Sequence, residues 1–221
     1  KAGNTENFTS PKVNLDKTKP IITINSPKAQ NYLTSENLTL DFFASDALSG
    51  VEIVTALLDG KPVTSGQVIN LAGTAGDHIL RVSATDKAGN TDNRTVSFSV
   101  VIAAIVDIDP NTLNLKSQSD KNAITAYIEF PAGYDVGQID VATVKLDIGG
   151  AQPINAQLTP TSVGDYDGDK TADRMVKFDR QAVIAALAGK TGDITMTVTG
   201  QFSDGRQFTG SDTIRVINPG K

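Results

Sequence analysis

The chain reads as all-β, two consecutive antiparallel β-sandwich domains, and three observations carry that reading. Apolar residues recur with a period of two along most of the length, turn signals separate these runs at short intervals, and a helical period holds over one short segment near residue 180. At 221 residues the chain exceeds one small sandwich and suits two cores of ~100–150 residues each.

Residues 1–15 are assigned to the tail of a preceding repeat and a linker. The basis is an internal repeat: Lys1 to Asn7 reads KAGNTEN, and Lys87 to Asn93 reads KAGNTDN. A spacing of that size is one whole sandwich domain rather than a solenoid unit, which implies at least one more such domain upstream. Residues 8–20 close on Asp16-Lys17-Thr18-Lys19-Pro20, a polar joint ended by proline.

The first complete domain is placed at 16–104, with its β-rich part beginning near Ile21. Leu38, Leu40, Phe42 and Ala44 share one face of a strand, as do Leu80, Val82 and Ala84, then Val96, Phe98 and Val100. Between these runs lie Ala47-Leu48-Ser49-Gly50, Asp59-Gly60, Ser65-Gly66, Ala75-Gly76-Asp77 and Lys87-Ala88-Gly89-Asn90, all turn-forming. Short strands at such intervals predict an antiparallel sandwich. The run Val101 to Val106 followed by Asp107-Ile108-Asp109-Pro110 reads as a last strand entering a stiff joint.

The second domain, 105–221, repeats the pattern in Ile124, Ala126, Ile128 and Phe130, then Val144, Leu146 and Ile148, then Ile194, Met196 and Val198, then Ile214 and Val216. It adds one helix. Asp179 caps a segment Arg180 to Ala188 whose Val183, Ile184 and Leu187 form one stripe, and Gly189 closes it.

Composition narrows the chemistry. Twenty basic and twenty-five acidic side chains give a formal charge of −5 with no basic cluster to track phosphates, which argues against nucleic acid. The absence of cysteine removes disulfide staples, thiolate zinc sites and thiol nucleophiles. No apolar run approaches the ~18 residues needed to cross a bilayer.

The one stretch with overt chemistry is Asp165-Tyr166-Asp167-Gly168-Asp169-Lys170-Thr171-Ala172-Asp173. Carboxylates at relative positions one, three, five and nine, with the Thr171 carbonyl at seven, are placed to converge at the ~2.3–2.6 Å that Ca²⁺ prefers. Without a cation they repel. Mg²⁺ demands a tighter octahedron, and zinc lacks nearby Cys or His. The predicted ligands are therefore Asp165, Asp167, Asp169, Thr171 and Asp173, and the predicted ion is a structural Ca²⁺.

Two resemblances add to this. Ala44-Ser45-Asp46-Ala47-Leu48-Ser49-Gly50-Val51, Leu58-Asp59-Gly60, Gly76-Asp77-His78-Ile79-Leu80 and Ala84-Thr85-Asp86-Lys87-Ala88-Gly89-Asn90 arrive in an order that resembles the bacterial immunoglobulin-like repeats of secreted and cell-surface proteins, over about residues 16–102. That resemblance implies an immunoglobulin-like first sandwich, in a non-catalytic tandem module that spaces or presents other domains outside the cell. The stretch Gly164 to Asp173 is similar to the DxDxDGxxD calcium loops of FG-GAP and thrombospondin type 3 repeats, with Lys170 where those loops commonly carry a second glycine. It departs from the EF-hand, because position twelve is Val176 and the exit Val176-Lys177-Phe178 reads as a strand.

Other polar residues receive plainer readings. Asp46 and Asp86, each after an inward alanine, are expected to accept hydrogen bonds from their own turns, with an inter-domain cation as the alternative. Asp107 and Asp109 are assigned to a polar linker, with a joint-stiffening cation site as the alternative. His78 shares parity with Leu80 and Val82 and is placed at the rim of the core, hydrogen-bonded to a neighbouring loop, without triad partners. Tyr32, Tyr127, Tyr134 and Tyr166 show no grouping in the sequence, and there is no Trp to stack on a sugar.

These readings converge on a monomeric, extracellular spacer with no catalytic role, whose partners are neighbouring domains of the same polypeptide, not nucleic acid or membrane. A carbohydrate-binding accessory module of a polysaccharide-degrading enzyme, an adhesin segment gripping a surface protein, and a glycosidase using two carboxylates stand as alternatives.

Overall fold

A computed structural model of the chain describes residues 15–117 and 123–218. The repeat copy at Lys1 to Asn7 lies outside the described residues. Elements in chain order are β1 (Ile21–Ser26), β2 (Asn31–Leu33), β3 (Asn37–Thr39), β4 (Asp41–Ser45), β5 (Val51–Leu58), β6 (Lys61–Val63), β7 (Val68–Asn70), β8 (Gly76–Asp86) and β9 (Thr91–Ala103). They continue as β10 (Ile105–Asp109), β11 (Thr112–Asn114), β12 (Ala123–Glu129), a 3-10 turn at Val136–Gln138, β13 (Ile139–Asp147), β14 (Ile154–Gly164), β15 (Asp173–Asp179), α1 (Arg180–Ala186), β16 (Gly192–Phe202) and β17 (Gln207–Ile217). The protein is all-β, with one short α-helix among the described residues.

The chain forms two compact units. Among the described residues, the first contains 15–30, 38–69 and 78–98, and the second contains 31–37, 70–77 and the chain from 99 onward.

In the first unit β1 pairs antiparallel with β4, and β5 pairs antiparallel with both β6 and β8. The period-two reading holds where it was clearest. Leu38, Leu40, Phe42, Leu80, Val82, Ala84 and Phe98 are buried, while Ala44 and Val96 are half-buried at the margins. Asp59 and Gly60 turn between β5 and β6, both at positive φ (50° and 80°).

The second unit is built on two faces. β10, β12, β15 and β14 pair antiparallel in that order, β13, β16 and β17 form the other face, and a β13–β14 pairing joins them. Two pairings depart from the antiparallel expectation: β11 and the end of β9 each run parallel to β17. Between the faces lies one core containing Ile124, Ala126, Ile128, Phe130, Val144, Leu146, Val176, Phe178, Met196, Val198, Ile214 and Val216, each at most 2% exposed. Phe130, Phe202 and Phe208 meet there at centroid separations of 4.9 to 5.8 Å.

The helix is α1, two residues shorter than the predicted Arg180 to Ala188. Asp179 caps it by accepting from the Ala182 amide at 2.8 Å, Val183 and Leu187 are fully buried, and Gly189 follows at φ 77°. One sequence-based expectation is corrected. Asp107 to Asp109, expected in a joint, belong instead to β10, paired along its length with β12; Val106 and Ile108 point inward while Asp107 and Asp109 point outward, the alternation of a half-buried strand.

Candidate metal centre

The acidic loop is the connection between β14 and β15, whose ends pair at Gly164 and Asp173. The hairpin brings the first and last carboxylates of the loop together. Gly168 turns the chain at φ 84°, and Lys170 follows in the same left-handed region at φ 80°, a conformation that favours glycine.

Four carboxylates fold the loop around themselves. Asp165 accepts from the amides of Gly168 (2.7 Å) and Lys170 (3.1 Å), Asp167 from Asp169 (3.0 Å), Asp169 from Thr171 (2.7 Å), and Asp173 from Tyr166 (2.8 Å). Asp173 is 5% exposed; Asp165, Asp167 and Asp169 face solvent. Asp165, Asp167 and Asp173 each place a carboxylate oxygen within 4.8 Å of the others. Two opposed ligands of one Ca²⁺ stand at about that separation, twice the ~2.3–2.6 Å bond. Unit negative charges so close repel by about 1 to 4 kcal/mol per pair, depending on solvent access. Neither ion pair found among the described residues involves any of these groups.

The loop faces further carboxylates. Glu129, at the end of β12, places an oxygen within 4.8 Å of oxygens on Asp167 and Asp169. Ile105, Asp107, Asp109, Tyr127, Glu129, Tyr166, Asp167 and Asp173 line a cleft of about 170 Å³. A water occupies ~30 Å³ of liquid, so the cleft has room for a cation with several waters. Every charged residue lining it is acidic. Burial first, then Asp169, Asp173, Asp167 and Asp165, push the Glu129 carboxyl above its usual value. Asp107 is raised likewise by burial and then by Asp109 and Asp212, and the Tyr127 phenol is raised by burial and then by Asp109.

An all-oxygen donor set without nitrogen or sulfur suits a hard divalent ion. Of the predicted ligands, Asp165, Asp167 and Asp173 bring carboxylate oxygens within 4.8 Å of one another, while Asp169 groups instead with Asp167 and Glu129; Thr171 is half-buried at the seventh position. Glu129 was missed. Its only sequence signal is a carboxylate on the outward parity of a strand otherwise lined by Ile128 and Phe130, with nothing tying it to a loop so far along the chain. Asp107 and Asp109, assigned to a linker, stand on this cleft because β10 pairs with β12. Two tyrosines ungrouped in the sequence meet in the fold: the rings of Tyr127 and Tyr166 pack at 4.8 Å, tilted by 38°, and the Tyr166 hydroxyl meets the Ser162 hydroxyl. The ring of Tyr166 covers Gly164, where an added Cβ would lie 3.2 Å from it.

The first unit carries a second acidic group, Asp16, Asp46 and Asp86. Asp46 accepts from the amides of Leu48 and Gly50, and Asp86 from those of Ala88 and Asn90 and from the Asn90 side chain, the turn-bracing role expected of both. His78 lies at the core rim, its Nδ1 2.7 Å from Asp59 Oδ2 and its ring stacked on Phe98 at 5.3 Å.

No family model matches the chain, and no curated protein sequence matches it. Among solved structures it is similar to the fibronectin(III)-like modules of Clostridium thermocellum CbhA (15% identity, 90% of this chain and 94% of that one, TM-score 0.34). It is also similar to a Ca²⁺-stabilised ice-binding adhesin of an Antarctic bacterium (19% identity, 93% and 51%, TM-score 0.29). A third is the Bacteroides ovatus protein SGBP-B, solved with a mixed-linkage heptasaccharide (15% identity, 89% and 47%, TM-score 0.28). The chain spans about half the length of the last two, and no ligand or activity passes from them to it.

Proposed function

We propose that the chain is a non-catalytic spacer and presentation segment of a secreted or cell-surface protein, made of modules at 16–104 and 105–221. A structural Ca²⁺ held by Asp165, Asp167, Asp169, the Thr171 carbonyl and Asp173 pins the second. The observation that carries this reading is the convergence of loop carboxylates within 4.8 Å, with no ion pair to any of them among the described residues. Such an arrangement is repulsive in the folded chain and becomes attractive once a divalent ion binds. Ion binding then stabilises the fold by mass action, by about 1.4 kcal/mol when free calcium is tenfold above the dissociation constant.

The test is thermal unfolding of the full chain with calcium and with chelator. A transition that falls on chelation and returns with Ca²⁺, and that becomes insensitive to calcium in Asp173→Asn, supports the reading; identical melting in both conditions defeats it. A second reading, polysaccharide binding, is favoured by the Tyr127–Tyr166 pair beside the cleft, because sugar faces pack on aromatic rings. Co-sedimentation with insoluble polysaccharides, lost in Tyr166→Ala, would establish it.

A further inference from the structure

We propose that the acidic basin holds two divalent cations bridged by Asp167, the second gripped by Glu129 from outside the loop together with Asp167 and Asp169. This rests on the calcium reading above, adds a second ion and Glu129 as its ligand, and moves Asp169 from the first ion to the second. The carboxylate oxygens form two groups, each compact enough for one ion: Asp165 with Asp167 and Asp173, and Glu129 with Asp167 and Asp169. Asp167 alone belongs to both.

Independent of the acidic cluster is the state of Glu129. It is 9% exposed, yet its carboxylate makes no hydrogen bond or ion pair with any described residue and is aimed at Asp167 and Asp169. A carboxylate on a side chain this buried is costly without a partner, and the charged groups that act on it most, Asp169, Asp173, Asp167 and Asp165, are all acids. A cation at the second position supplies the missing partner. Asp167 is suited to bridging: its Oδ1 accepts the Asp169 amide, and its Oδ2 accepts from no described group. Asp169 is alike, with Oδ1 taken by the Thr171 amide and Oδ2 free of any described donor. Charge points the same way, since the two groups comprise five carboxylates; one Ca²⁺ leaves −3 and two leave −1. The second ion would tie the β14–β15 loop to the end of β12.

The experiment counts ions on the full chain by native mass spectrometry after equilibration with Ca²⁺. Tb³⁺ luminescence is a second readout, because the chain has tyrosine but no Trp to sensitise the ion. Expected is one ion fewer in Glu129→Gln, one fewer in Asp173→Asn and two fewer in Asp167→Asn, with sites elsewhere constant across the series. An unchanged count in Glu129→Gln overturns the second site, as does a loss of only one ion in Asp167→Asn. A count that none of the three substitutions alters overturns the underlying calcium reading as well. Folding is controlled in chelator, where Glu129→Gln removes a buried unpaired charge and should melt no lower than the parent. A lower metal-free melting temperature with an unchanged ion count would reduce Glu129 to a structural role and end the proposal.

Discussion

Lys170 illustrates how a single backbone position is overruled by its surroundings. A non-glycine residue at φ 80° is strained by about 1–2 kcal/mol, and here the Asp165 carboxylate holds it there by accepting its amide. Glycine relieves that strain while gaining chain entropy in the unfolded state, so Lys170→Gly is expected to be neutral to stabilising by up to about 1 kcal/mol in chemical denaturation. Asp86 gives a pH prediction. Burial works to raise its pKa, but hydrogen bonds from the Asn90 side chain, the Asn90 amide and the Ala88 amide outweigh it, and the carboxyl titrates below its usual value. A depressed folded pKa means stability that is full above the unfolded value near 3.8 and is lost as pH falls through the folded one. Asp59 is lowered in the same sense, with burial opposed by His78 and the Ile79 amide. Urea midpoints followed from pH 6 to 2 should therefore decline below about pH 4, and less steeply in Asp86→Asn; a midpoint flat across that range would contradict this assignment.

Strands and helix show which local signals survive folding. The helix cap was plain in the sequence because Asp179 precedes an apolar stripe and Gly189 follows it, and both do what their chemistry dictates. Asp179→Ala is expected to cost about 1 kcal/mol, read as a lower urea midpoint with an unchanged slope. By contrast, Gly200 and Gly210 carry no turn and gave no warning. A Cβ on Gly200 would stand 2.6 Å from the Phe208 ring, and one on Gly210 would stand 2.5 Å from the Ala104 carbonyl oxygen. An aromatic ring can shift but a paired backbone cannot, so Gly210→Ala should destabilise by at least the ~1–3 kcal/mol typical of overpacking, and by more than Gly200→Ala. Equal melting temperatures for the two variants would show that the β17 backbone yields. β10 was misread for a related reason: proline and alternating aspartates look like a linker until a partner strand turns the alternation into inside and outside.

For the whole molecule, calcium is expected to act on one of the two units. All ligands of the proposed ions lie in the second unit, so calorimetry of the full chain should resolve a calcium-sensitive component alongside an insensitive one. A single transition that shifts as one body with calcium would mean that the units unfold together. No helix among the described residues is long and apolar enough to cross a membrane.

The residue order alone determined the all-β class, the capped helix, the inward faces of the clearest strands and the approach of Asp165, Asp167 and Asp173 to one another, because each is a local matter of period, turn chemistry or spacing within one short segment. The tertiary structure decided that 105–109 is a strand, that Tyr127 meets Tyr166, and that Glu129 closes on Asp167 and Asp169. Those depend on which strands pair and in what register, a choice made by the packing of a shared core and invisible in any one stretch of chain.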